Sequence, residues 1–218
     1  MKLRHLNRWD VSPAEARAIQ VELAAQVVRS GDPTDVRVVA GIDVALPDGE
    51  IRAAVILDSY PDLTCLEVAM ADCPAVLPYI PGLLSFREAP AVVVACEKVA
   101  LEPDLVIVDG HGYSHPRRIG IASHLGLILD RPTIGCAKSL LVGQHGPVGD
   151  NVGDWTPVEA NGDVIGAALR TRVGVKPVYV SVGNLIGLEP AIRWVLACCR
   201  GYRLPEPQRQ AHRQAGSR

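Results

Sequence analysis

The sequence predicts an α/β fold in which a mixed sheet, three antiparallel strands followed by parallel ones, is flanked by helices. Three observations carry that prediction. The runs 38–44 and 105–108 are almost wholly apolar on both faces, as expected of strands covered on both sides. Two turn clusters, Pro47-Asp48-Gly49 and Tyr60-Pro61-Asp62, separate the first run from two further strands and so make a meander. Farther on, a strand, a helix and a strand follow one another, an order that joins parallel neighbours through a crossover. With 218 residues, 48% of them hydrophobic, and no break in composition, the chain can bury one substantial core. Residues 1–218 are therefore expected to form a single domain, with a polar, basic tail from about residue 204.

The first element is a helix. Ser12-Pro13-Ala14-Glu15 has the form of a capping box with proline at the first helical position, and Ile19, Leu23 and Val27 repeat at helical spacing up to Gly31. Strands are expected over 37–44, 51–58 and 64–70. Residues 71–88 break the pattern, with Pro74, Pro78, Pro81 and Gly82 around Tyr79 and Ile80, and read as a surface loop. Ser85 and Glu88 have capping-box spacing, but a helix begun there would carry Pro90 past its first turn, where proline removes a hydrogen bond and clashes. The helix is therefore expected to start at Pro90 and run to Ala100, leaving Glu88 at its mouth. After the strand 105–108 come a helix over 119–129, a strand over 132–136 with Lys138 just beyond it, and a glycine-punctuated loop over 143–154. That loop has neither the order nor the lysine of a phosphate-binding loop. A hairpin over 164–170 and 178–182 across Gly174, a helix over 190–199 and the partly helical tail complete the chain.

Chemistry enters through two carboxylates. Asp43 interrupts an otherwise apolar run, and a charge there costs several kcal/mol to desolvate unless something positive lies beside it. Leu105-Val106-Ile107-Val108 ends the same way, delivering Asp109 into Gly110-His111-Gly112. Side by side, these strands would bring both carboxylates to one edge of the sheet, where hard oxygen ligands suit Mg²⁺ or Mn²⁺. Charge is also divided along the chain: 9 basic against 17 acidic residues over 1–109, and 13 against 7 over 110–218. An acidic metal edge facing a phosphate-attracting surface fits that division. The six cysteines show no C-x-x-C spacing and read as reduced core residues; the polar start of the chain and the lack of a ~20-residue apolar run predict a cytoplasmic protein that spans no membrane.

The strand order is that of a ribonuclease H-like domain, in which the first and fourth strands are neighbours. Several segments resemble the endonuclease V family: Val39-Ala40-Gly41-Ile42-Asp43, the run from Pro78 to Glu88, Asp109-Gly110-His111-Gly112, His115-Pro116-Arg117-Arg118, Ala122 to Gly126, Pro132 to Gly135 with Ala137-Lys138-Ser139, and the stretch from Pro205 to His212. The resemblance spans nearly the whole chain. It implies a metal-dependent endonuclease that recognises deoxyinosine in DNA and hydrolyses the second phosphodiester bond on its 3′ side. By position it implies Asp43, Asp109 and Glu88 as ligands of Mg²⁺, which Mn²⁺ can replace, with His212 completing the catalytic cluster and Lys138 as a cation near the phosphate. Tyr79, with Ile80 and Pro81, matches the family's wedge. Gly82, Leu83, Leu84, Gly110 and Ile121 resemble its hypoxanthine pocket, with His115 nearby. Asn184 departs from the histidine expected there in many relatives. The alternatives are a catalytically silent nucleic-acid-binding protein, or a related nuclease acting on inosine-containing RNA or branched DNA.

Overall fold

Among the described residues, every strand joins one eight-stranded sheet. The structure, a computed structural model, describes residues 1–217; Arg218, the end of the expected 1–218 span, lies outside the described residues. In chain order the elements are α1 (Pro13–Ala24), β1 (Val38–Ala45), a 3₁₀ turn (Pro47–Gly49), β2 (Ile51–Ser59), β3 (Cys65–Cys73), α2 (Leu84–Glu97), β4 (Leu105–Val108), α3 (Ile121–Leu129), β5 (Thr133–Ala137), β6 (Trp155–Ala160), β7 (Asp163–Leu169), β8 (Val178–Asn184), α4 (Leu188–Ala197) and α5 (Glu206–Ala215). The sheet order is β3-β2-β1-β4-β5-β8-β7-β6. The meander β1 to β3 is antiparallel, and β1, β4 and β5 run parallel, as the ribonuclease H-like order requires.

Strand periodicity sorts the core into two layers. Ala40, Ile42, Val106 and Val108 face α2 and α3, packing with Ala89, Val92, Ala95 and Leu125. Val39, Leu105, Ile107, Ile134 and Cys136 face the other way, with Val180, Ala191 and Val195 beneath α4. The second face also receives α5. Gly41 makes that possible: a Cβ there would overlap the carbonyl group of Pro207, so only glycine lets the helix come this close. The stretch from 204, expected as a polar, basic and partly helical tail, thus ends in a helix with Pro207, Gln208, Ala211 and Ala215 buried.

Three expectations are corrected. The loop over 71–88 ends at residue 83, and α2 begins at Leu84 with Pro90 inside it, so Glu88 lies in the helix and not at its mouth. Phe86, Ala89, Val92 and Cys96, all buried, form one helical face. Burying a Phe or Val side chain is worth about 1.5–3 kcal/mol. Together they outweigh the roughly 3 kcal/mol that an interior proline costs. Strand β6 has no counterpart in the expectation. Pro157 obscures it, yet β6 is the outermost strand, where a missing ladder donor does no harm. Its turn, Asn161-Gly162, has positive φ at both residues (56° and 76°), the hairpin signal that was present in the sequence. All six cysteines are free, but Cys65 is exposed on β3 and is no core residue. Among the described residues no helix is long and apolar enough to cross a membrane.

Candidate active site

Three parallel strands end at the same edge of the sheet. Ile42 pairs with Val108, which sets Asp43 level with Asp109, and the Asp109 amide donates to the Ile42 carbonyl at 2.8 Å. By alternation, Asp43 continues the face of Val39 and Gly41, Asp109 that of Leu105 and Ile107, and Lys138 that of Ile134 and Cys136. The three side chains therefore point to the layer that α5 occupies. Four residues beyond Gln208, one helical turn, His212 comes down beside them.

The contacts follow from this convergence. His212 Nδ1 lies 2.5 Å from Asp43 Oδ2. Lys138 donates to Asp109, and its Nζ is 3.9 Å from Asp43 Oδ2 and 3.5 Å from His212 Nδ1. Donor atoms of Asp43, Asp109 and His212 all lie within 4.8 Å of one another, a spacing from which a metal ion can be held. Glu88 is not among those three. It arrives from the opposite layer on α2, one turn beyond Leu84 and Ser85, close enough for the charges of Asp43 and Asp109 to act on it.

Electrostatically this edge is short of positive charge. Burial drives the Asp43 carboxyl above its ordinary range and Asp109 pushes it the same way, while Lys138 and His212 pull against them. Burial raises Glu88 to about 7; the Arg87 charge opposes the rise, and Asp43 and Asp109 add to it. Carboxyls held up by burial and mutual repulsion are groups that a divalent cation returns to their ionised form. Two carboxylates, an imidazole and a third carboxyl behind them therefore suit a divalent metal ion, which agrees with the reading of this edge from sequence.

The next residues along two of the same strands enclose a cavity of about 140 Å³. Gly110 and His111 follow Asp109; Ser139, Leu140 and Leu141 follow Lys138; Tyr79, Gly82, Leu84, His115 and Ile121 complete most of its wall. The acidic cluster and the cavity are thus a single peptide unit apart on two strands. Gly110 has φ 150° and a Cβ there would press on Ile121, so its glycine is needed for the wall to close. Tyr79 is 66% exposed at the rim. Six of the residues expected for substrate binding, Tyr79, Gly82, Leu84, Gly110, His115 and Ile121, line this one space.

Others do not. The Leu83 side chain is buried with Ala16, Leu77 and Phe86, Ile80 packs against the same group, and Pro81 is exposed outside the lining. His124 is structural: its Nε2 is 2.8 Å from Asn7 Oδ1 and its ring lies near Trp9 and Phe86. Asn184, the departure from the family pattern, is 2% exposed. It accepts from the Val28 amide at 3.0 Å and donates to the Gly126 carbonyl at 3.1 Å, a bridge inside the fold. The sequence reading missed Gln20, Ser85, Gly120, Ser139, Leu140 and Leu141 as lining residues and left His111 without a role. Gln20 did leave a signal, as a polar residue on the apolar stripe of an amphipathic helix.

Comparison with known proteins agrees with this geometry. A family model described as Endonuclease V matches residues 21–213. A curated endonuclease V of Gloeobacter violaceus is 52% identical over 212 residues, covering 95% of this chain and 86% of its own. A crystal structure of endonuclease V from Streptomyces avermitilis superposes with a TM-score of 0.90 at 39% identity, covering 99% of this chain and 96% of that one. The Ciona intestinalis enzyme, in complex with a 23mer DNA containing an inosine followed by a ribo-adenosine, superposes with a TM-score of 0.81 at 28% identity, over 94% and 97% of the two chains.

Proposed function

The chain belongs to the endonuclease V family of deoxyribonucleases, and on that premise we propose that it recognises deoxyinosine in DNA and hydrolyses the second phosphodiester bond 3′ to the lesion, leaving 3′-hydroxyl and 5′-phosphate ends. The observation that carries the reading is the adjacency of the acidic cluster and the cavity. Asp109-Gly110 and Lys138-Ser139 each give one residue to the cluster and the next to the cavity wall. A base held in the cavity leaves its own sugar and phosphate outside, so the cluster meets a phosphate displaced along the same strand.

Each residue has a part that its position supports. Asp43, Asp109 and Glu88 would hold Mg²⁺, which Mn²⁺ can replace; when bound, the ion would supply Lewis-acid charge at the phosphate and lower the pKa of an attacking water. Lys138, between cluster and cavity, offsets negative charge on the phosphate oxygens. His212 holds Asp43 in place through its Nδ1 contact of 2.5 Å. Tyr79, exposed and stiffened by Ile80 and Pro81, enters the stack beside the extruded base. Backbone groups of Gly82, Leu84, Gly110 and Ile121 read the base edge; Leu83 anchors that segment in the core, and His115 holds the Gly82 carbonyl in the wall. About 140 Å³ is small beside the roughly 300–1,000 Å³ of drug-sized pockets, a scale that favours one planar base. The enzyme acts on DNA in the cytoplasm.

One observation favours a second substrate. The Ciona intestinalis relative was solved with a 23mer DNA in which a ribo-adenosine follows the inosine, so inosine-containing RNA belongs in the substrate panel. The test uses end-labelled duplexes that differ only in carrying deoxyinosine or adenine at one position, with Mg²⁺ and product ends mapped at single-nucleotide resolution. Nicking of the inosine strand alone, one bond past the adjacent one, is expected. Equal nicking of both duplexes removes lesion recognition, and an abasic product overturns the phosphodiester mechanism.

A further inference from the structure

Gln20 occupies a position where α1 has no need of a polar residue. The helix buries Ala16, Gln20 and Leu23, and Gln20 is 0% exposed, so its amide has to find partners inside the protein. Its Nε2 donates to the Gly82 carbonyl at 3.0 Å, and its Oε1 accepts from Arg117 Nε at 2.6 Å. Arg117 Nη2 donates to the same carbonyl at 2.7 Å, closing a ring of hydrogen bonds. His115 adds a third donor. Its Nδ1 accepts the Arg117 amide at 3.2 Å, which leaves the proton on Nε2, 3.1 Å from the Gly82 oxygen. Burial and the Arg117 charge keep that ring neutral, with its pKa down to about 4.

One carbonyl thus receives three donors, two from the segment after β4 and one from α1. Gly82 is at φ 80°, and a Cβ there would stand 2.8 Å from Arg117 Nη2, so glycine is what admits both the turn and the guanidinium. At the other end of this loop Leu77 is buried and Ile80 packs against it, while Tyr79 between them is exposed.

We infer that Gln20 is a positioning residue for lesion recognition: with Arg117 it locks the Gly82 peptide, and so holds the Tyr79 loop ready across the cavity. The inference rests on the reading of that cavity as a base pocket. Gln20 stands one residue before the span matched by the family model. A loop already held in place loses less conformational freedom when the base arrives, so the clamp acts on binding more than on the chemical step.

The experiment compares wild type, Gln20→Ala and Gln20→Glu in single-turnover nicking of the deoxyinosine duplex with Mg²⁺, alongside thermal melts. Gln20→Glu keeps the size and the Arg117 contact but removes the donor to Gly82, so it tests the clamp even where the alanine variant folds poorly. Both variants are expected to raise the half-saturating duplex concentration about tenfold, the scale of one lost hydrogen bond to a fixed partner. The rate at saturation should fall far less, and preference for inosine over uracil should narrow. Wild-type half-saturation and preference in Gln20→Glu overturn the clamp, as does an equal loss in both kinetic terms that tracks a lower melting temperature. A wild-type protein inert on inosine DNA instead overturns the base-pocket reading, and the clamp with it.

Discussion

Asp58→Asn should change how the stability of this protein depends on pH. Asp58 lies on β2, 0% exposed, with Oδ2 accepting from Gln210 Nε2 at 3.1 Å and Oδ1 buried without a partner. Gln210 is two residues before His212 on α5, so this contact helps seat the helix that completes the cluster. Burial lifts Asp58 to about 7, and the Glu206 charge adds to it while the Gln210 bond opposes it. In the unfolded chain the same group titrates near ~3.9. A carboxyl with a raised folded pKa favours folding fully below pH ~4, and that contribution is lost as pH climbs to about 7. Each pH unit in that window is worth about 1.4 kcal/mol, so between pH 5 and 8 the parent should lose about 3 kcal/mol through this group.

The asparagine variant has no proton to lose. Its amide oxygen can still accept from Gln210 while its NH₂ takes the place of Oδ1, so the cost of the substitution is the same at every pH. Relative to the parent, the variant should therefore gain about 3 kcal/mol of stability between pH 5 and pH 8. Urea unfolding at both pH values measures the difference. Buried His115 and His124, each down to about 4, add stability as pH rises, but equally in both proteins, so they cancel in the comparison. Parallel pH profiles for parent and variant would refute the assignment of Asp58 as a protonated buried carboxyl.

Two further outcomes test the candidate site. Asp43→Ala or Asp109→Ala should abolish nicking of the inosine duplex while gel-shift binding largely survives, and excess EDTA should silence the wild type; turnover in EDTA would sink the metal reading. Tyr79→Ala should lose stacking worth roughly 1–3 kcal/mol in lesion binding, read from titration of labelled duplex. Its melting temperature should hold, since the ring is 66% exposed; an early melt with normal binding would make Tyr79 a structural anchor.

Much of this site could be read along the chain because its chemistry lies at strand ends. A carboxylate ending an apolar run is visible wherever the run is, which marked Asp43 and Asp109, and the parallel order of β1 and β4 brought them level. The meander, α1 with its capping box and the crossover through α3 were equally local, since turn residues and apolar spacing specify them without reference to distant contacts. The sequence reading placed the start of α2 at Pro90 on the strength of one propensity. Tertiary burial of Phe86 and Ala89 overrides that propensity and carries Glu88 into the helix.

Three features belonged to the tertiary structure alone. Residues 206–215 are polar enough to read as a tail, and they dock because Gly41 leaves room for the Pro207 backbone, a fit between positions 166 apart that no local pattern encodes. The cavity joins α1, the Tyr79 loop and segments after β4 and β5, whose shared space exists only once the sheet is assembled. Gln20 shows the difference most directly. Its place on an apolar stripe was visible in the sequence, but its meaning depended on a carbonyl 62 residues away and an arginine 97 residues away. Hydrophobic period and strand-end charge are short-range properties of a chain; which buried polar group finds which partner is decided by packing, because only packing removes the water that would otherwise satisfy it.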